Sequence, residues 1–134
     1  MRNKIFIDTS FTLSLVNRRD FHHENALNLS LKYEKASWLT TKAVLLEIGN
    51  ALAKNFKAES LAVIRAFQQN SSAEIIEISE ELFEKGLDIY EKFSDKDWGL
   101  VDCISFAVMW EQEIFEVLTF DDDFRQAGFT VLEN

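Results

Sequence analysis

Short apolar runs alternate with longer stretches of helical periodicity along this chain, and that alternation restricts the fold more than any other property of it. Residues 4–8 (Lys4-Ile5-Phe6-Ile7-Asp8) read as a strand. Helical spacing follows over 10–17 and 21–34, a short strand over 37–40, and helices over 41–54 and 57–70. Residues 74–78 alternate as Glu74-Ile75-Ile76-Glu77-Ile78 and read as a strand. Residues 80–93 read as an amphipathic helix with Leu82, Phe83, Leu87 and Tyr90 on one side, and 99–112 as a helix that is apolar nearly all round. A strand over 115–120, a helical turn over 121–126 and a last strand over 129–132 complete the pattern. Strands separated by helices pair in parallel, with helices on both faces. The expected fold class is therefore α/β, with a central, mostly parallel sheet flanked by helices in three layers. Sites in such sheets lie outside the carboxyl ends of the strands.

The chain has no Pro and four Gly, so no flexible linker is visible. Its 134 residues are expected to form one domain, 1–134, large enough for a real core. No run approaches the roughly 18 apolar residues of a membrane span, and the N-terminus lacks the layout of a signal peptide. The single Cys, Cys103, excludes an internal disulfide and a Cys-based zinc site, and reads as a core residue. A soluble, cytoplasmic protein is expected. The net charge of −9 argues against a general nucleic-acid binder, because phosphate contacts favour basic surface. It argues less against a metal-dependent nuclease, whose acids are neutralised by cations.

Four carboxylates sit where an ionised group needs a partner. Asp8 ends the first strand; it either caps the next helix or, if Thr9 or Ser10 does the capping, faces a pocket. Glu47 shares a helix side with Val44, Ile48 and Ala51, as a border residue of the apolar stripe or as a carboxylate held by a cation. Gly49 beside it suggests close packing against another element. Asp102 falls at the third position of its helix if Gly99 is the N-cap, where it either complements the helix dipole or faces the interior end of the sheet. Asp121, Asp122 and Asp123 follow a strand; the first is best placed for a pocket, and Asp123 is a supporting or weaker ligand. His22 and His23 point about 100° apart on a helix and read as surface residues.

Taken in order, these segments resemble the PIN domain family. Ile5-Phe6-Ile7-Asp8-Thr9-Ser10 is similar to the family's opening, and Leu46-Glu47-Ile48-Gly49-Asn50-Ala51-Leu52 to its second motif. Asp95-Lys96-Asp97-Trp98-Gly99-Leu100-Val101-Asp102-Cys103 resembles the third, and Leu118-Thr119-Phe120-Asp121 with Asp123-Phe124 the fourth. Each motif alone is weak; the ordered set covers essentially the whole chain. The resemblance implies a PIN-like fold and a ribonuclease of the VapC toxin type, with Asp8, Glu47, Asp102 and Asp121 as catalytic acids. Asp8, Asp102 and Asp121 would be the metal ligands, and Thr9, Thr119, Asp123 and Asp97 would be supporting groups. Gly99 departs from the usual Ser or Thr, and the triple Asp leaves the fourth acid open between Asp121 and Asp123.

Oxygen-only ligands suit Mg²⁺ or Mn²⁺, one ion or two. Such ions activate water and stabilise the leaving oxygen of a phosphodiester. Without metal, clustered carboxylates repel and take up protons. Arg18, Arg19, Lys42, Lys96 and Arg125 are candidate contacts for an RNA substrate. The resemblance further implies a homodimer and a cognate antitoxin whose tail lies over the groove, with Phe11, Leu13, Leu15 and Val16 as exposed apolar surface for it. Competing readings are a catalytically silent PIN-like binding module, disfavoured by the four acids, and a receiver-like phosphoacceptor, disfavoured because no Lys ends the late strand. A phosphatase using Asp8 as nucleophile would want a second Asp where Ser10 stands.

Overall fold

A computed structural model describes residues 4–134, so the first three residues of the expected 1–134 domain lie outside the described residues. Five strands form one sheet: β1 (Lys4–Ile7), β2 (Ser37–Thr41), β3 (Ala73–Ile76), β4 (Glu116–Leu118) and β5 (Thr130–Val131). Their order is β3-β2-β1-β4-β5, and every pairing is parallel. The expected "mostly parallel" sheet is wholly parallel, and the helices flank it as expected.

Alternate side chains of each strand point to opposite faces. Phe6, Leu39 and Val117 enter one apolar cluster. Ile5, Ile7 and Leu118 enter the other. The first cluster is covered by α3 (Lys42–Leu52), α5 (Glu80–Lys92), α6 (Leu100–Glu111) and the short α7 (Asp123–Gln126). The second is covered by α1 (Thr9–Val16) and α2 (His23–Lys32), through Phe11, Ala26 and Leu29. The remaining helix, α4 (Lys57–Gln69), serves both, with Ile64 against one cluster and Phe67 against the other.

Two sequence expectations fail here. Phe11 is fully buried, and Leu13, Leu15 and Val16 are half-buried against the two clusters, so these residues do not form an exposed apolar surface. An eight-residue helix directly after a central strand is pinned between layers, and its apolar residues are drawn inward. The buried stripe of α5 is also rotated. It runs through Leu82, Gly86, Ile89 and Phe93, while Phe83 and Tyr90 are exposed. The cause is Gly86, where a Cβ would lie 2.5 Å from Ile104 Cγ1 of α6. Only glycine lets the two helices approach so closely, and a periodicity count based on apolar residues overlooks it. Gly49 has no such demand, since a Cβ there would meet Ile64 Cδ1 at 3.9 Å, an ordinary contact.

The order of strands reverses between β1 and β4. In open parallel sheets the crevice outside the carboxyl ends at such a reversal is where ligands bind. β1 ends at Ile7 and β4 at Leu118, so Asp8 and the segment Thr119 to Asp121 leave the sheet side by side. The backbone N–H of Asp8 donates to Leu118 O at 3.1 Å, which fixes that adjacency.

Aromatic packing brings a third element to the crevice. Phe106 of α6 meets Phe124 of α7 edge-on at 5.0 Å and Trp98 edge-on at 5.0 Å. Trp98 Nε1–H donates to Gln126 Oε1 at 3.1 Å. Each such ring pair contributes about 0.5–1.5 kcal/mol beyond its area. Together they clamp the start of α6 against α7, and so Asp102 against Asp123.

Candidate metal centre

Asp8 occupies the N-cap position of α1 with extended backbone (φ −92°, ψ 161°), yet its side chain makes no capping bond. Its carboxylate faces the crevice instead. Thr119 Oγ1 donates to Asp8 Oδ2 at 2.7 Å, and Ser10 Oγ donates to the same oxygen at 2.9 Å. Neither Thr9 nor Ser10 caps the helix as expected. Thr9 Oγ1 donates to Glu47 Oε1 at 2.5 Å. Ser10 Oγ lies 2.9 Å from Thr119 Oγ1 and accepts the N–H of Phe120 at 3.0 Å. Ser10 is therefore a hub that sequence reasoning passed over as a cap; its signal was a hydroxyl two residues beyond Asp8.

The other acids arrive on three elements. Gly99 is the N-cap of α6, which puts Asp102 in the first turn as expected. The N–H of Asp121 donates to Thr119 Oγ1 at 3.0 Å, and the N–H of Asp123 donates to Asp121 Oδ1 at 3.2 Å. This turn aims Asp121 and Asp123 together at Asp102. Carboxylate oxygens of Asp102, Asp121 and Asp123 all lie within 4.8 Å of one another, close enough to hold a metal ion. Glu47 is half-buried on α3 beside buried Val44 and Ile48, while Ala51 is exposed, so it stands at the border of the stripe. It joins the site through Thr9 rather than by lying within that trio.

The electrostatics fit a cation. Burial, opposed by the Thr119 and Ser10 hydroxyls and the Thr9 N–H, pushes the Asp8 carboxyl up from 3.8 to about 6, with the Asp121 charge adding to the rise. Asp102 is pushed to about 8, first by burial, then by the charge of Asp8, a hydrogen bond with Asp123 and the charges of Asp121 and Asp123. Asp123 is raised as well, chiefly by burial. Acids that resist ionising together are what a divalent cation relieves. The donor set is all oxygen, which suits a hard ion.

The structure does not bring Asp97 to this group. Asp97 is exposed, because buried Trp98 takes the inward position of the turn before α6, and no hydrogen bond or ion pair joins it to the cluster among the described residues. Cys103 is fully buried as expected, its thiol pushed up to about 11 by burial and by Asp102 and Asp123. Of the basic candidates, Lys42 pairs with Glu77 at 3.2 Å, Lys96 with Asp95 at 3.9 Å, and Arg125 with Asp122 and Glu133 at 3.3 and 3.0 Å. Arg18 and Arg19 are exposed and make no ion pair among the described residues.

Residues 5–130 match the PIN domain family. The chain belongs to the PIN domain family. The PIN domain here is similar to the 23S rRNA-specific endonuclease VapC20 of Mycobacterium tuberculosis, 28% identical over 125 residues that cover 93% of this chain and 95% of the relative. The crystal structure of VapC20, described as a sarcin-ricin loop cleaving toxin, superposes with a TM-score of 0.86 at 27% identity, covering 97% of this chain and 99% of that one. VapBC2 from Rickettsia felis, bound to a promoter DNA fragment, shares the fold with a TM-score of 0.70 at 16% identity, covering 98% of each chain. No helix among the described residues of this PIN domain is long and apolar enough to cross a membrane.

Proposed function

We propose that this PIN domain is a VapC-type toxin: a metal-dependent endoribonuclease that hydrolyses RNA phosphodiester bonds at the carboxylate cluster. One observation carries the proposal. Asp8, Asp102 and the Asp121–Asp123 turn, from three separate places in the chain, converge at the reversal point of the sheet, in a chain similar over nearly its whole length to a ribosomal-RNA endonuclease.

Asp102, Asp121 and Asp8 are the groups that would hold Mg²⁺ or Mn²⁺, with Asp123 supporting Asp121 through its N–H. Such an ion supplies charge to polarise the phosphate and to lower the pKa of water. The protein's own groups do the positioning. Thr119 and Ser10 hold Asp8 ionised and aimed into the crevice at a depth where burial alone favours the acid. Thr9 fixes Glu47 by one oxygen, and the second makes no hydrogen bond among the described residues. That oxygen would accept a proton from attacking water. Asp97 has no part in this assignment, and Ser10 enters it as a positioning residue.

The toxin reading brings with it a cognate antitoxin, a homodimer, a cytoplasmic location where RNA is available, and one PIN-like domain over residues 1–134. The test is cleavage of RNA by the purified chain in EDTA, then with Mn²⁺ or Mg²⁺ restored. Cleavage should vanish in the chelator and return with the ion. Full activity in EDTA would refute the mechanism.

A further inference from the structure

Beside the acidic cluster a column of aromatic rings climbs out of the core. Buried Phe11 lies 6.0 Å from Phe120. His22 stacks on Phe120 with ring centres 4.3 Å apart and planes 6° from parallel. Phe21 meets His22 edge-on at 5.0 Å and is 94% exposed. A single exposed ring is ordinary on a protein surface. Three further features remove this one from the ordinary. The column is fastened to the metal centre, since the N–H of Phe120 donates to Ser10 Oγ, and Ser10 donates to Asp8. A cleft of about 210 Å³ opens between the rings and the acids, lined by His22, Phe120, Thr119, Asp121 and Arg125. Arg18 and Arg19, which make no ion pair among the described residues, precede Phe21 on the same loop between α1 and α2.

We infer that Phe21 and His22 form a stacking subsite for an unpaired nucleobase next to the scissile phosphate, with Arg18 and Arg19 drawing in the flanking phosphates. The inference rests on the ribonuclease reading and deepens it. Single-stranded nucleic acid is bound by this combination of exposed π-faces and adjacent positive charge. An apolar peptide would need neither arginine. The chain as a whole carries a net charge of −9, which repels the backbone, so local cations and stacking must supply the contact.

The test pairs binding with cleavage. Anisotropy of a labelled single-stranded RNA is measured on the Asp102→Asn chain, alone and with Phe21→Ala, Phe21→Leu or Phe21→Trp added. Cleavage is measured on the otherwise native chain with the same three substitutions. Phe21→Ala should raise Kd, and KM more than kcat, by roughly 5- to 150-fold, the range of one base–aromatic stack. Phe21→Leu should fare as badly as Ala, and Phe21→Trp should restore binding. An abasic position beside the cut should cost the native chain a similar factor and cost Phe21→Ala nothing further. Unchanged binding and cleavage in Phe21→Ala overturns the subsite while leaving the nuclease reading intact. So does native behaviour of Phe21→Leu. RNA binding that depends on Phe21 without any cleavage by the native chain in Mn²⁺ does the reverse, and no binding by any form overturns both.

Discussion

Replacing Asp8 by Asn should make the metal-free protein more stable at pH 8, although it removes an acid from the proposed active site. The folded chain raises the Asp8 carboxyl from 3.8 to about 6, mainly by burial. A folded-state value above the unfolded one means that the native state binds the extra proton between the two, so stability falls as pH rises through that window. The ionised carboxylate then costs the folded state about 3 kcal/mol at pH 8 and only about 0.5 kcal/mol at pH 4. An Asn amide oxygen can still accept the Ser10 and Thr119 hydroxyls, but its nitrogen accepts nothing. We set that loss at about 1–2 kcal/mol. The net gain at pH 8 is therefore about 1–2 kcal/mol, or roughly 3–8 °C in Tm. The gain should shrink with acidity and change sign near pH 4–5, where native Asp8 is itself protonated. Thermal melts followed by circular dichroism in EDTA, at pH 4, 5, 6 and 8, read this directly. Mn²⁺ should reverse the ranking at pH 8, because only the native carboxylate set gains the full binding energy of the ion. A variant less stable than native in EDTA at pH 8, or a difference that does not vary with pH, would refute the reasoning.

Two further perturbations act on the frame around the site. Gly86→Ala should destabilise the fold by about 1–3 kcal/mol, because its Cβ would fall 2.5 Å from Ile104 Cγ1, near the stiff base of a β-branched side chain. Urea denaturation checks this, and adding Ile104→Ala should cost less than the two single losses combined. Thr119→Val removes a buried hydroxyl that donates to Asp8 and accepts the N–H of Asp121. It should destabilise by about 1–3 kcal/mol. Since that hydroxyl lowers the Asp8 value, its loss should also carry the pH-dependent limb of metal-free stability to higher pH, as EDTA melts across pH would show.

The alternation of strands and helices is legible because the β1 residues Ile5, Phe6 and Ile7 are buried on both faces and read as one apolar run. Strand order is not legible, because β4 lies beside β1 only through tertiary packing. Asp8, Asp102 and Asp121 stand out as acids among apolar neighbours, and the structure brings them into one electrostatic group. Ser10 and Asp123 are harder to read, since a hydroxyl or carboxylate after a strand caps a helix as readily as it builds a site. Only the direction of its hydrogen bonds decides. Asp97 shows the opposite failure: it sits inside a recognisable motif, but the turn spends its inward position on Trp98. The exposed surface expected from Phe11 to Val16 fails because apolar content does not reveal which layer covers a short helix.

Binding of Mn²⁺, followed by electron paramagnetic resonance at pH 8, tests most directly whether these acids make one metal centre. The native chain should sequester the ion, Asp102→Asn should lose at least roughly tenfold in affinity, as loss of a metal ligand or its immediate support does, and Asp97→Asn should bind like the native chain. A native chain that leaves Mn²⁺ free in solution, or an Asp97→Asn variant as impaired as Asp102→Asn, would contradict the account.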